Sequence, residues 1–174
     1  LLDPLPAAAR TRVHVDYHLG QVLVARDDFY ILDFEGEPTR SIEERRAKTS
    51  PIKDVAGMLR SLDYAAWTIR ERLEDRHPGR HALIAELAQG WRRAAARAFL
   101  DAYTAAMREV PSMPAEREEA DRLLRFFLIE KALYEICYEA ANRPRWLRIP
   151  LAGLAAALGE PEPEEGFDDA TSSA

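Results

Sequence analysis

From Gln21 to Phe34 the chain reads QVLVARDDFYILDF, in which two apolar runs, VLVA and FYIL, are parted by Arg26, Asp27 and Asp28. Short apolar runs bounded by turn formers predict two strands joined as a hairpin, and their nearly continuous apolar character predicts burial on both faces. Beyond Ser50 the pattern becomes helical. Ser50 and Pro51 offer an N-cap and a first-turn proline, after which Val55, Leu59, Leu62, Ala66, Ile69 and Leu73 recur at spacings of four and three. His77-Pro78-Gly79 stops this helix. A second is expected from about His81 to Arg108, its apolar face carried by Leu83, Leu87, Trp91, Ala94, Ala98 and Ala102, and the run VPSMP ends it. A third spans about Ala115 to Ala141, with Leu124, Phe127, Leu128 and Tyr134 as core candidates, and NRP closes it before a short alanine-rich helix from Pro150 to Leu158. The expected class is α+β, mainly α: a short β-hairpin flanked by polar loops, then three long helices and one short one.

The length of 174 residues and an apolar content of 47% suit one globular domain with a sizeable core. The formal charge of −6 resides in the last fifteen residues, where Glu160, Glu162, Glu164, Glu165, Asp168 and Asp169 stand without a lysine or arginine. That stretch, 160–174, is expected to be a disordered acidic tail following a domain over 1–159. The balanced body offers no basic stripe, so nucleic acid is not an expected partner. No apolar run is long enough to span a membrane and the first residues do not form a secretory signal, which points to a cytoplasmic protein. The single cysteine, Cys137, lies in the apolar run LYEICY and is expected to be a small core residue.

The loops at the ends of the hairpin carry the chemistry. Before it stands HVDYHLGQ, with Asp16 and Gln21 five positions apart, and after it comes DFEGEP from Asp33 to Pro38. Phosphoryl transfer from a nucleotide requires a carboxylate that orients and deprotonates the accepting hydroxyl, together with oxygen ligands that hold magnesium against the phosphates. Protein kinases arrange these as HRDxxxxN, a short hairpin, and then DFG. Order, spacing and secondary structure agree here. Taken singly, Asp16 is a turn cap and DFEGEP a solvated turn; their joint occurrence is what points to a kinase. His14 and His18, four apart, also invite a zinc reading, against the simpler one in which His14 packs beneath the loop and hydrogen-bonds its backbone while His18 shapes the same turn.

HVDYHLGQVLV followed by DFYILDFEGEP resembles the catalytic centre of the aminoglycoside-phosphotransferase-like kinases, and among them the maltokinases. The resemblance extends through ERRAKTSPIKDVAGMLRSLDYAAW (Glu44 to Trp67) and IEKALYEICYEAANRPRWLRIPLAG (Ile129 to Gly153), with EGEP and EKALYE the more specific parts. Val15 departs from it, standing where those kinases carry glycine. The resemblance implies a protein-kinase-like C-terminal lobe and ATP-dependent phosphorylation of maltose to maltose 1-phosphate for α-glucan synthesis. It makes Asp16 the base and Gln21 and Asp33 the Mg2+ ligands, with Glu35 in support. Lys131 and Tyr134 would bind the sugar alongside Asp16, with Tyr138, Arg143 and Trp146 as weaker sugar-site candidates; without the resemblance, Lys131 reads as a surface lysine and Tyr134 as core.

No glycine-rich strand-turn-strand and no strand lysine precede the catalytic-type loop, so the chain reads as a piece lacking its N-terminal nucleotide lobe and inactive by itself. A trehalose synthase domain or subunit is a further partner the resemblance suggests. Two rivals stand beside the kinase reading: a non-catalytic helical interaction module derived from such a kinase, and a metal-dependent hydrolase using His14, Asp16 and His18.

Overall fold

The computed structural model describes residues 9–36 and 41–159. A two-residue connection joins strands β1 (Val22–Ala25) and β2 (Asp28–Ile31), which pair antiparallel with Val22 opposite Ile31 and Ala25 opposite Asp28. Arg26 and Asp27 both take positive φ, 54° and 59°, as the favoured two-residue hairpin turn demands. Among the described residues five α-helices follow: α1 (Ile42–Arg46), α2 (Ile52–Arg76), α3 (His81–Met107), α4 (Arg117–Asn142) and α5 (Arg148–Leu158). This mostly helical arrangement around a small hairpin is that of a kinase-like C-terminal lobe.

The three long helices and the short last one fall where periodicity places them. The start of α2 is one residue later than expected: Pro51, not Ser50, holds the N-cap position and makes no side-chain cap bond, while Ser50 before it accepts the Ile52 amide through Oγ at 3.3 Å. At the other end Gly79 takes φ 91°, a conformation that releases the chain from the helix. The short α1 is absent from the hydrophobic pattern but signalled by a capping box: Ser41 accepts the Glu44 amide and Glu44 reaches back to the Ser41 amide.

The core lies between α2, α3 and α4. Ile52, Val55, Leu59 and Leu62 meet Ala96 and Leu100 from α3 and Ala120, Leu123, Leu124 and Phe127 from α4. Four expectations about burial are corrected. On α3 the buried positions are Ile84, Ala96 and Leu100, while Leu83, Leu87 and Trp91 face solvent. The face was misplaced because alanines fill both sides of the helix and give the pattern no contrast. On α2, Ile69 is exposed, beyond the reach of the three-helix core. The hairpin is exposed on both faces, with Val24 at 65% on one and Leu23 at 51% on the other, because an apolar run specifies extended backbone without supplying the surface that covers it. Cys137, too, is exposed on α4 and not part of the core. The expected acidic tail lies outside the described residues, as do Glu37 and Pro38.

A buried ionic cluster ties the helices together. Arg60 of α2, 2% exposed, donates through Nε and Nη2 to Glu135 Oε2 of α4 at 2.9 and 2.8 Å, through Nη1 to Asp63, and to the carbonyl of Ile149 in α5. Burial works against the guanidinium's charge, but Glu135 and Asp63 outweigh it and hold its proton more tightly than water would. Arg92 of α3 joins through Asp63 at 2.6 Å. One turn further, Glu139 receives the Tyr64 hydroxyl and a two-pronged contact from Arg143, whose guanidinium lies over Tyr138 and Trp146. Gly153 of α5 runs against the Arg60 guanidinium, where any side chain would collide.

Candidate functional site

The loop from His14 to Leu19 is laid along α2 and fastened to one face of it. Asp54 accepts the amides of His14 and Val15 through its two carboxylate oxygens at 2.7 and 2.9 Å. One turn on, Gly57 leaves room for the Tyr17 carbonyl, which would stand 2.6 Å from a Cβ placed there. A turn later Ser61 Oγ accepts the Leu19 amide at 2.8 Å. Burial pushes the Asp54 carboxyl above its ordinary range, against the pull of those two amides, and burial together with the neighbouring Asp54 charge raises the Tyr17 phenol. The loop's entry is fixed by an antiparallel bridge between Thr11 and Thr49.

His14 is buried beneath this loop, its Nε2 directed at the Leu32 carbonyl at 2.6 Å and its ring against Phe34 at 4.9 Å. The histidine thereby joins the loop before the hairpin to the loop after it. His18 caps the single turn Leu19–Gln21, its Nδ1 accepting the Gly20 amide at 3.0 Å. Val15, between them, takes φ 74°.

The hairpin returns the chain so that Gln21 and Asp33 meet. Gln21 Nε2 donates to Asp33 Oδ2 at 3.0 Å, and Asp33 itself adopts φ 59°. Asp16 lies between two cationic or titratable neighbours, Lys131 Nζ at 3.5 Å from Oδ1 and His18 Nε2 at 3.8 Å from Oδ2. Lys131 in turn sits over the Tyr134 ring at 5.1 Å, and Tyr134 stacks with Tyr138. Glu35 is exposed, and its carbonyl accepts Arg45 at 3.2 Å. A cleft beside Asp16 is walled by Val15, Gly57 and Phe127 and by the charged residues Lys53, Glu130 and Lys131, with Tyr134 at its edge. Within it Lys53 grips Glu130 through both carboxylate oxygens at 2.8 and 2.7 Å.

The structure therefore joins Gln21 to Asp33 and Asp16 to Lys131 and His18, and puts Tyr134 with Lys131 in the cleft. Tyr138 continues the stack, while Arg143 and Trp146 belong to the packing around Glu139. Among the described residues no three His, Cys, Asp or Glu side chains gather as a metal would require, so His14, Asp16 and His18 do not form the zinc triad of the hydrolase rival. A carboxamide and a carboxylate do suit magnesium, a hard cation that takes few protein oxygens and completes its shell with water and phosphate. The Gln21 contact to Asp33 uses its nitrogen and keeps its oxygen, the atom a hard cation takes, out of that bond.

Sequence reading missed Asp54, Gly57, Ser61 and Lys53. The first three stand at i, i+3 and i+7, one face of a helix, which is a legible signal once a loop is sought to lie on it.

No protein-family model matches the chain. It is similar to a glucosamine kinase of Streptacidiphilus jiangxiensis, 31% identical over 159 residues that cover 91% of this chain and 34% of that one. Another, from Mycolicibacterium smegmatis (strain ATCC 700084 / mc(2)155), is 32% identical over 147 residues, covering 84% of this chain and 34% of that one. Among solved structures, a glucosamine kinase in complex with glucosamine, ADP and inorganic phosphate superposes with a TM-score of 0.66 at 28% identity, covering 84% of this chain and 32% of that one. A second crystal form gives 0.63 at 29% identity over 82% of this chain and 32% of that one. The chain spans about a third of the length of the curated relatives it matches. No helix among the described residues is long and apolar enough to cross a membrane.

Proposed function

We propose that this chain is the C-terminal lobe of an ATP-dependent sugar kinase. The observation that carries the reading is the contact of Gln21 with Asp33 across the hairpin, whose two flanking loops are also joined by His14 reaching the Leu32 carbonyl. Asp16 accepts the proton of the attacking sugar hydroxyl, and Lys131, 3.5 Å away, holds that carboxylate in place. Gln21 and Asp33 would be the protein ligands of Mg2+, with Glu35 in support. When bound, the ion would neutralise charge on the phosphates of ATP. The cleft walled by Lys53, Glu130, Lys131 and Tyr134 receives the sugar.

For the acceptor, similarity across nine-tenths of the chain to proteins named glucosamine kinases supports glucosamine. The stretches EGEP and EKALYE support maltose, phosphorylated to maltose 1-phosphate in α-glucan synthesis, with a trehalose synthase as a further partner. The nucleotide-binding N-terminal lobe belongs to the rest of the longer protein, and a cytoplasmic setting suits such a reaction.

An ADP-release assay on the full-length protein, with each sugar in turn, tests the proposal. Turnover is expected with at least one, and Asp16→Asn is expected to lower it by roughly 100-fold or more. Full activity of that variant would remove the base, and activity of residues 1–174 alone equal to the full-length rate would remove the two-lobe reading.

A further inference from the structure

Val15 is a β-branched residue held at φ 74°, where an L side chain other than Asn or Asp is an outlier that costs of order 1–3 kcal/mol. The conformation is held by its amide, pinned at 2.9 Å to Asp54. A glycine would satisfy the same backbone without strain. What glycine lacks is the isopropyl group, and Val15, one residue before Asp16, lines the same cleft as Phe127, Glu130 and Lys131.

We infer that the Val15 side chain is a specificity wall: it limits the bulk of the acceptor next to the hydroxyl that Asp16 engages. This rests on the sugar-kinase reading above. Beside the charged Lys53, Glu130 and Lys131, Val15 and Phe127 give a sugar an apolar face to lie against, and the isopropyl group takes up space that a bulkier acceptor would need. Discrimination by one or two methyl groups in such a wall is worth roughly tenfold or more in relative kcat/KM.

The test compares wild type, Val15→Gly and Val15→Thr in the full-length protein, measuring kcat and KM with glucosamine and with maltose. Val15→Gly is expected to shift the ratio of the two kcat/KM values by roughly tenfold, mainly through KM, without lowering the thermal midpoint. Val15→Thr, which keeps the branched shape, is expected to retain the wild-type ratio. An unchanged ratio in an active Val15→Gly protein overturns the inference while leaving the kinase reading intact. If wild type releases no ADP with either sugar, the kinase reading falls instead, and calorimetric binding of both sugars to the chain decides the wall: equal affinity ratios in wild type and Val15→Gly overturn it.

Discussion

The carbonyl of Tyr17 rests on the bare face of Gly57, close enough that a methyl group at that position would stand 2.6 Å from the oxygen. The neighbour is backbone and cannot swing aside as a flexible side chain would, so the loop carrying Asp16 sits as deep on α2 as it does only because position 57 has no side chain.

Gly57→Ala is therefore expected to lift residues 16–19 off α2 and to destabilise the chain by about 1–3 kcal/mol, despite alanine's better helix propensity. Gly90→Ala in α3 is the control, since a Cβ there meets nothing within 4 Å, and it should stabilise by about 0.5–1 kcal/mol. Urea unfolding of the two variants checks both signs; stabilisation by both would show that the close approach carries no cost.

Asp54 supplies acceptors for two successive amides that no other group serves in the loop. Asp54→Asn turns a donor toward one of them and is expected to cost about 1–3 kcal/mol. Amide exchange at His14 and Val15 should accelerate in the variant. Unaltered protection at both would show that the loop holds its shape by other means.

How much of this was legible follows from what a one-dimensional pattern can encode. The spans of α2, α3, α4 and α5 were readable because apolar residues recur at three and four and because Pro and Gly mark the ends. The pairing of Gln21 with Asp33 was expected from spacing across a hairpin. The buried face of α3 was not legible, because its alanines carry almost no hydrophobic contrast. Nor was Arg60: between Leu59 and Leu62 it reads as a solvated charge, and its partner Glu135 lies 75 residues away, where nothing local announces it. Asp54 reads alone as a first-turn acid favouring the helix dipole, and only the loop above it reveals its second task.

Three tyrosines are held as neutral phenols by burial. Tyr103 is pushed up to about 12 by burial and then by the Asp54 charge, and Tyr17 and Tyr64 are also raised, burial again first. The native chain thus holds these protons more tightly than the unfolded one, whose phenols ionise near the ordinary value of about 10. Stability is expected to be fully present below pH about 10 and to fall as pH rises from there through about 12. Unfolding curves across that window, with tyrosinate absorbance as a second probe, check it. Tyr103→Phe should flatten the decline, and parallel slopes for variant and wild type would refute the assignment.

The contact between Arg60 and Glu135 acts as a rivet between α2 and α4. Asp16 rides on α2, to which its loop is fastened by Asp54, Gly57 and Ser61, whereas Lys131 rides on α4, one turn before Glu135. The gap between carboxylate and ammonium is accordingly gauged by the spacing of two helices rather than by any loop. A void opened deep between those helices, at Leu59 or Leu123, would be felt first as a slackened contact between Asp16 and Lys131, well before the chain came apart.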